Sequence, residues 1–432
     1  MSLIEEILEY TNILNATQRV KSNKGAAGID VMPTDEIESY IKENYESIIT
    51  QIRNKEYKPQ PVRRVYIPKA NGKKRPLGIP TVVDRVIQQA IAQVLSYKYD
   101  STFSDSSYGF RPNRDCHKAM AKALEYINEG YDNIIDFDIE KYFDTVNHDK
   151  LISILREKVN DSTTLHLIRS FLKAGIMEDG IKCPSVEGVP QGGPLSPLLS
   201  NIYLDKLDKE LEQRGLRFVR YADDFDIFVK SAKSARRVME SVSSWIERKL
   251  FLKVSQEKTK IVKPNQSEFL GFTYWYNKDK WSLRPLKSRK QRLKDKIKQV
   301  LVRKQAIARP LRETFIKLNQ IIVGWINYYR ISNMKTFIKQ IGEWLRHKVR
   351  VVIIKRWKKP KTIYKNLKIL KVILKSNISD EELLGLANAR QGLYSLCTHQ
   401  KINFLIPPKL LEKKTKDRPG LVNPLNYYLS KL

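Results

Sequence analysis

The sequence predicts an α+β protein in which a mixed catalytic domain precedes a helical region. With 432 residues, 41% of them hydrophobic, the chain is long enough for two or three domains with buried cores. Between about residues 133 and 272, strand-like apolar runs alternate with helical patterns. Beyond Pro285, three amphipathic helical patterns with short connections predict a small bundle.

The first 80 residues predict a short helical start and then a basic β-hairpin. Residues 63–69 and 75–80 flank Asn71-Gly72, a pair that is typical of hairpin turns. Thr81 and Asp84 have the spacing of a capping box, which predicts the start of a helix. The buried stripe of this helix is expected at Val83, Val86, Ile87, Ala90, Ile91, Val94 and Leu95.

Two acidic clusters follow on predicted strands. Asp136 and Asp138 alternate with apolar residues and therefore point to one face of their strand, whereas Asp223 and Asp224 lie at the tip of a predicted hairpin. Adjacent carboxylates raise each other's pKa unless a cation neutralises them, and oxygen ligands favour Mg²⁺. The clusters together predict a two-metal site for phosphoryl transfer. Asp136, like Asp226 downstream, is expected to be a scaffold or solvated residue.

The region beyond Pro285 is basic as well as helical. Residues 288–305 carry eight Lys or Arg and one Asp over a helical pattern. A third helix is predicted from about Met334 to Trp357, then a linker at 358–361 and a weakly patterned tail. The second helix, between these two, has an apolar face formed by Leu311, Phe315, Leu318, Ile322, Trp325 and Tyr329.

The composition favours a nucleic-acid partner. The chain has 79 Lys and Arg against 47 Asp and Glu, a formal net charge of +32, which suits a partner with many phosphates. Charge alone leaves ribosomal or histone-like packaging open. The three cysteines lie far apart, so they predict neither a disulfide framework nor a zinc site. Without a signal peptide or an apolar run of membrane length, we expect a protein of the bacterial cytosol that contacts no membrane.

An ordered set of motifs resembles those of reverse transcriptases. Asp138 is followed five residues later by the aromatic Phe143, as in the first metal-binding motif of that family, and Tyr221–Asp224 resembles the second. The other motifs that match in order are Ser107–Pro112, Pro190–Pro197 and Phe269–Phe272.

Two further segments narrow the resemblance to reverse transcriptases and maturases encoded by group II introns. Asn23–Asp30 resembles their N-terminal extension, and Gly324–Tyr329 resembles their maturase region. No His-Asn-His cluster with paired cysteines is present in the sequence, so we expect the endonuclease-lacking type. The resemblance implies a right-hand polymerase fold, with fingers and palm at 1–284, a thumb or maturase domain at 285–362 and a small DNA-binding domain at 363–432.

The resemblance also implies the site residues, with Mg²⁺ as the cofactor. Metal ligands would be Asp138, Ile139, Asp223 and Asp224, and the three aspartates would be catalytic. Phe143 would lie beneath the sugar of the incoming nucleotide. The other implied nucleotide contacts are Lys69, Arg75, Gln191 and Gly192, and the implied primer or template contacts are Arg63, Arg111, Phe269, Leu270 and Gly271.

The function implied is RNA-directed DNA synthesis on an RNA template, with a DNA or RNA primer and deoxynucleoside triphosphates. The resemblance further implies a maturase that binds its parent group II intron RNA and a DNA target. A free-standing reverse transcriptase with a role in host defence or repair stays open, as does a non-catalytic RNA-splicing chaperone. An RNA-dependent RNA polymerase is disfavoured by Phe143, because an aromatic ring there leaves little room for a 2′-hydroxyl.

Overall fold

The computed structural model describes residues 2–68, 72, 74–416 and 418–432. The chain divides into two compact units, one that ends at Leu270 and one from Gly271 to Leu432. The predicted domain boundaries at residues 284 and 362 separate regions by expected function and not by compactness. They stay a prediction. Among the helices of the described residues, none is both long enough and apolar enough to cross a membrane.

The first unit mixes helices and strands along the chain, as the sequence predicts. Its helices are α1 (Leu3–Leu8), α2 (Tyr10–Ser22), α3 (Ile37–Arg53), α4 (Val82–Asp100), α5 (Cys116–Asn128), α6 (Tyr142–Thr145), α7 (His148–Arg156), α8 (Ser162–Leu172), α9 (Ser196–Gln213) and α10 (Ala232–Leu250). Its strands are β1 (Val62–Pro68), β2 (Lys74–Ile79), β3 (Asn133–Phe137), β4 (Ile176–Glu178), β5 (Ile181–Cys183), β6 (Arg217–Tyr221), β7 (Asp224–Val229) and β8 (Lys260–Val262).

A four-stranded sheet, called here the central sheet, brings the two acidic clusters onto neighbouring strands. Its order is β6-β7-β3-β8, and all of its pairs are antiparallel. The register sets Asp136 opposite Asp226 and Phe137 opposite Phe225, whose rings stack with centroids 4.8 Å apart. Apolar side chains of β3 and β7 enter the core, so the ends of these strands carry the polar residues to the surface.

A second sheet has the order β2-β1-β4-β5 and contains the predicted basic hairpin. Helix α4 follows directly, and the Thr81 hydroxyl accepts a hydrogen bond from Asp84 N at 3.2 Å, which confirms the predicted cap. The Asp84 carboxylate makes a different contact from the one a capping box predicts, since it accepts from the Thr81 hydroxyl and from Tyr57 and Gln60. Most of the predicted apolar stripe is buried, and Val83 is half-buried.

The second unit begins with a β-hairpin and is otherwise helical in its described part. Its strands are β9 (Phe272–Asn277) and β10 (Lys280–Pro285). Its helices are α11 (Lys287–Val300), α12 (Arg303–Ala308), α13 (Leu311–Tyr329), α14 (Lys335–Arg356), α15 (Pro360–Ile373), α16 (Asp380–Ala387), α17 (Leu393–Leu396), α18 (Gln400–Leu405), α19 (Pro408–Glu412) and α20 (Pro424–Leu429).

The bundle predicted beyond Pro285 is present in this unit, with two differences. The first predicted helix divides near Leu301, so that α11 and the short α12 replace one continuous element. The predicted linker at 358–361 is wrong, because α15 begins at Pro360, a residue that is favourable at the first turn of a helix. The weakly patterned tail folds into short helices that bury some of their apolar residues and leave others exposed. Elements this short carry too few residues for their periodicity to be recognised in the sequence.

Candidate active site

A cleft of about 1010 Å³ opens in the first unit, where the central sheet and the basic hairpin both contribute residues. The sequence-predicted residues that line this cleft are Arg75, Asp138, Ile139, Phe143, Gln191, Asp223 and Asp224. They come from segments up to 149 positions apart in the sequence, counted from Arg75 to Asp224. The fold therefore brings most of the predicted nucleotide and metal contacts together.

The tip of the β6–β7 hairpin carries Asp223 and Asp224 on a tight turn. Tyr221 pairs with Asp224 across the hairpin, and Ala222 has a φ of +60°, which is uncommon for a residue with a Cβ. Gly109 lies directly against this turn, and a Cβ at Gly109 would clash with the backbone nitrogen of Ala222. The turn is thus held in a strained shape by the backbone that packs on it.

A buried ion pair supports this turn from below. The Arg220 guanidinium donates to both carboxylate oxygens of Asp208 at 2.7 and 2.5 Å, and both side chains are 0% exposed. The same guanidinium donates to Asn201 Oδ1 and to the Ala222 carbonyl, each at 3.0 Å. Helix α9 and the turn are therefore joined by one buried guanidinium that donates four hydrogen bonds, which holds the hairpin tip against the core.

Asp138 lies at the end of β3 and is paired with a lysine. The Lys258 ammonium donates to both Asp138 carboxylate oxygens, at 2.8 and 3.0 Å. The Lys258 side chain is 64% exposed and that of Asp138 is 30% exposed. The Asp138 backbone is held as well, because Ser255 N donates to its carbonyl at 2.9 Å and its own N–H donates to the Thr259 hydroxyl at 3.2 Å.

The carboxylates of the cleft perturb one another. Burial raises the pKa of Asp223, with a smaller contribution from the charge of Asp138. Asp224 is exposed to solvent and lines the cleft beside the other carboxylates. Desolvation there, together with the charges of Asp223, Asp138 and Asp136, raises the pKa of Asp224 to about 6.

Asp136 and Asp226 lie opposite each other on β3 and β7, and their surroundings differ. Lys260 lies 3.7 Å from an Asp136 carboxylate oxygen, which gives Asp136 a counter-ion. Asp226 is buried, and burial with the charge of Asp136 raises the pKa of Asp226 well above its ordinary value. The solvated alternative is therefore wrong for Asp226.

The three carboxylates of the cleft are of a type that suits a divalent cation, although they are not arranged closely enough to hold one. Asp138, Asp223 and Asp224 are oxygen ligands in one cleft, and their mutual repulsion favours a cation between them. In the described residues, no three His, Cys, Asp or Glu side chains are close enough together to hold a metal ion. Asp138 is instead neutralised by Lys258, so metal binding here requires that this ammonium leave.

The side of the cleft that is predicted to bind the nucleotide is formed by backbone contacts between β2 and the loop before α9. Gly78 N donates to the Gln191 carbonyl at 2.8 Å, and Gly192, with a φ of +129°, packs so closely that a Cβ would clash with the Gly78 carbonyl. Phe143 is half-buried and packs edge-on against Tyr142, with ring centroids 5.1 Å apart. Lys69, the other predicted triphosphate contact, lies outside the described residues.

The two arginines predicted as template or primer contacts have structural partners. Arg111 is buried, and its guanidinium donates to Asp100 at 2.8 Å and to the carbonyls of Ser104 and Ser107. These bonds hold the guanidinium within the fold, which favours a bracing role for Arg111, and the predicted template contact stays a prediction. Arg63 donates to the Ala27 carbonyl at 2.7 Å and is only half-buried.

The predicted primer contacts lie outside the set of residues that line the cleft. Phe269 is buried, Leu270 ends the first unit with a φ of +49°, and Gly271 begins the second unit with a φ of +81°. A tight backbone path at this junction explains the glycine. The predicted primer contact by these residues stays a prediction.

Several residues that line the cleft were missed by sequence reasoning. Lys258 had no signal beyond its charge, and its partner Asp138 is 120 residues away. Phe110 lines the cleft with 54% of its surface exposed and a φ of +57°. Its position in the Ser107–Pro112 motif offered a signal, since an exposed aromatic in a strained backbone is unusual in a protein that needs no ligand there.

Comparison with known proteins places two domain families on the chain. Residues 67–274 match the family model described as reverse transcriptase (RNA-dependent DNA polymerase). Residues 290–370 match the group II intron, maturase-specific domain. These ranges fall on the segments that carry the motifs of the cleft and on the helical bundle.

Curated relatives include one that is named as encoded by a group II intron. The Group II intron-encoded protein LtrA of Lactococcus lactis subsp. cremoris is 34% identical over 323 residues, covering 60% of this chain and 54% of that protein. Protein YkfC of Escherichia coli (strain K12) is 32% identical over 310 residues, covering 62% of this chain and 81% of that protein. The chain thus spans about half the length of the first of these relatives.

Among solved structures, a chain of the "Partial Cas6-RT-Cas1--Cas2 complex" is 27% identical and has a TM-score of 0.37. The match covers 57% of this chain and 43% of that chain.

Proposed function

The chain belongs to the family of reverse transcriptases and maturases encoded by group II introns, and we propose that it is an RNA-directed DNA polymerase. The single observation that carries the proposal is the cleft in which Asp138, Asp223 and Asp224 meet Arg75, Phe143 and Gln191. Its substrates would be an RNA template, a DNA or RNA primer and deoxynucleoside triphosphates.

Asp138, Asp223 and Asp224, with the backbone carbonyl of Ile139, would hold two Mg²⁺ ions. When bound, such ions activate the primer 3′-hydroxyl and stabilise the leaving pyrophosphate. The contribution of the chain is to fix the ligands in place. Arg220 and Asp208 hold the turn that carries Asp223, and Ser255 and Thr259 hold the backbone of Asp138.

The rest of the cleft would orient the nucleotide. The Arg75 guanidinium presents a fork of donors that suits the oxygens of a triphosphate. Gln191 would pack against the nascent base pair, since its backbone is tied to β2 through Gly78. The half-buried ring of Phe143 would form the floor beneath the sugar and select deoxynucleotides by excluding the 2′-hydroxyl.

The test is primer extension on an RNA template with Mg²⁺ by the wild type and by Asp223→Asn. Replacement of a ligand carboxylate by an amide of the same shape should lower the extension rate by about a hundredfold or more. RNA affinity, measured by filter binding at fixed salt, should stay nearly unchanged because the basic contacts remain.

Glu257→Gln is the matched control, because Glu257 lines the same cleft and is not among the proposed ligands. It should retain most of the extension activity. Full activity of Asp223→Asn would contradict the proposed ligand set. Absence of extension by the wild type would favour the non-catalytic RNA-splicing chaperone.

A second function is supported by the maturase-specific match at residues 290–370. We propose that this region binds the parent group II intron RNA, and that residues 285–362 act as thumb and 363–432 contact a DNA target. Helix α11 is rich in Lys and Arg, which suits phosphate contacts. RNA recovered with tagged protein from its host should be enriched in its own excised intron. An unrelated RNA population would favour a free-standing reverse transcriptase instead.

A further inference from the structure

A short segment before Pro190 is bonded directly to the turn that carries Phe143. Val189 N donates to the Phe143 carbonyl at 2.6 Å, and Gly188 N donates to the Val146 carbonyl at 2.8 Å. The segment 188–189 therefore pairs with the backbone of 143–146. Any displacement of this segment is transmitted to the backbone of Phe143 through these two hydrogen bonds.

Gly188 allows this close approach. Its φ is +89°, and a Cβ at this position would lie 2.9 Å from the carbonyl oxygens of both Phe143 and Asp144. Such separations are shorter than ordinary van der Waals contacts, so any larger residue would force the turn and the loop apart. The backbones of the two segments thus touch without an intervening side chain.

His148, at the start of α7, completes the contact. Its Nε2 lies 2.7 Å from the Gly188 carbonyl, and because a carbonyl oxygen only accepts, Nε2 is the protonated nitrogen. The side chain is 4% exposed, and burial lowers the pKa of the His148 imidazole, which keeps the ring neutral. Its Nδ1 is buried and has no hydrogen-bond partner among the described residues.

An unpaired buried nitrogen is a cost that an apolar side chain of similar size would avoid. The compensating contribution of His148 is its one hydrogen bond to the Gly188 carbonyl. That bond holds the same loop segment whose neighbour Val189 donates to the Phe143 carbonyl. His148 is therefore linked to the backbone of Phe143 through the segment 188–189.

The same loop reaches the other wall of the cleft. Two residues beyond Val189, the Gln191 carbonyl accepts from Gly78 N of β2, the strand that also carries Arg75. The loop 188–192 thus connects the predicted floor for the sugar with the predicted triphosphate contact. His148 holds the end of this connection that lies against Phe143.

We propose that His148 and Gly188 are positioning residues that hold Phe143 at the floor of the cleft and thereby set the selection of deoxynucleotides over ribonucleotides. The inference rests on the proposed polymerase function and on the proposed place of Phe143 beneath the sugar. Loss of the His148 hydrogen bond releases the loop, so the ring can recede and admit a 2′-hydroxyl.

The test compares wild type, His148→Leu and His148→Gln in single-nucleotide extension on an RNA template, with kcat/KM measured for dTTP and for UTP. The ratio of kcat/KM for dTTP to kcat/KM for UTP should fall by about tenfold in His148→Leu. A factor of this size corresponds to the free energy of one hydrogen bond. His148→Gln should restore most of the ratio, because the amide nitrogen of Gln reaches the position of Nε2 and donates.

Two further variants separate positioning from general loss of structure. Ile152→Val removes a methyl group from a buried side chain on the same helix and should leave the ratio unchanged. In a Phe143→Val background, which should itself lower the ratio, His148→Leu should lower it no further, because the residue being positioned is gone. If His148→Leu does not fold, His148→Asn, whose amide is too short to reach Gly188, serves in its place.

The outcomes are distinguishable. A wild-type ratio in folded His148→Leu or His148→Asn overturns the inference and leaves the polymerase assignment standing. A fall that His148→Gln does not restore, or that Ile152→Val shows equally, also overturns it. Absence of extension by the wild type overturns the proposed function and the inference together.

Discussion

Two cation–carboxylate pairs at the cleft differ in almost every physical respect. Arg220 and Asp208 are fully buried and share further hydrogen bonds with Asn201 and the Ala222 carbonyl. In the second pair Lys258 is largely open to solvent, Asp138 is half-buried, and the ammonium of Lys258 joins them. Burial makes the first pair permanent, since neither charge can be left alone in the core. Exposure makes the second pair exchangeable, so another cation can take the place of Lys258.

The largest effect is expected when the buried pair is broken. Asp208→Asn keeps the shape of the side chain but leaves the Arg220 charge without its counter-ion, which should lower the free energy of unfolding by about 3–5 kcal/mol. Urea denaturation of the two proteins measures the difference.

The control for this variant is Glu157→Gln, which breaks the exposed pair with Lys206 on the same helix as Asp208. Its cost should stay below about 1 kcal/mol. Equal losses of stability in the two variants would contradict the contrast between buried and exposed pairs.

A smaller effect is expected from pH on metal binding at the exposed side. The pKa of Asp224 is raised from its ordinary 3.8 to about 6, so this carboxyl stabilises the metal-free fold at low pH. That contribution is present below about pH 4 and is lost as the pH rises through about 6. Metal ligation requires the deprotonated form, so Mg²⁺ affinity should rise by up to about tenfold per pH unit below 6 and level off above it.

Calorimetric titration of the protein with Mg²⁺ between pH 5 and 7.5 measures this dependence. Asp224→Asn removes the titrating group and should flatten the profile around pH 6. Identical affinities for the wild type at both ends of the range would show that the acidic cluster does not receive the cation.

The smallest effect is expected at Lys258. Lys258→Gln removes the ammonium that occupies Asp138, so Mn²⁺, followed by electron paramagnetic resonance as a probe for Mg²⁺, should bind up to about fivefold more tightly. Lys260→Gln is the matched control, because Lys260 pairs more distantly with Asp136. Weaker Mn²⁺ binding in Lys258→Gln would instead mean that this lysine supports the metal site.

Local patterns were enough to predict the acidic clusters, and the resemblance to a known family added Arg75, Ile139, Phe143 and Gln191, but Lys258 and Phe110 of the same cleft were missed. The shared face of Asp136 and Asp138 and the paired acids at the hairpin tip follow from neighbours in the chain, because strand geometry decides which face a side chain takes. The α+β class and the helical bundle follow from the same short-range periodicity. The short helices α16 to α20 could not be predicted from periodicity. Elements of four to eight residues depend on tertiary packing more than on their own sequence pattern.

Arg111 shows why charged residues are hard to assign from sequence. An arginine in a motif rich in Gly and Pro suggests a solvent-facing contact, but here the fold surrounds the guanidinium with acceptors. Whether an arginine faces a ligand or braces a loop depends on which carbonyls the fold brings to it. Those acceptors can come from segments that are distant in the sequence, so the sequence alone does not reveal them.

The sequence by itself determined which chemical groups this protein carries: the carboxylates, the aromatic that is predicted to lie at the sugar, the excess of basic residues and the order of its motifs. Only the tertiary structure decided which partners these groups have. Lys258 meets Asp138, Asp208 meets Arg220, and His148 meets Gly188 through contacts that span 120, 12 and 40 positions. Side-chain identity is a local property, whereas burial and pairing depend on the packing of the whole chain.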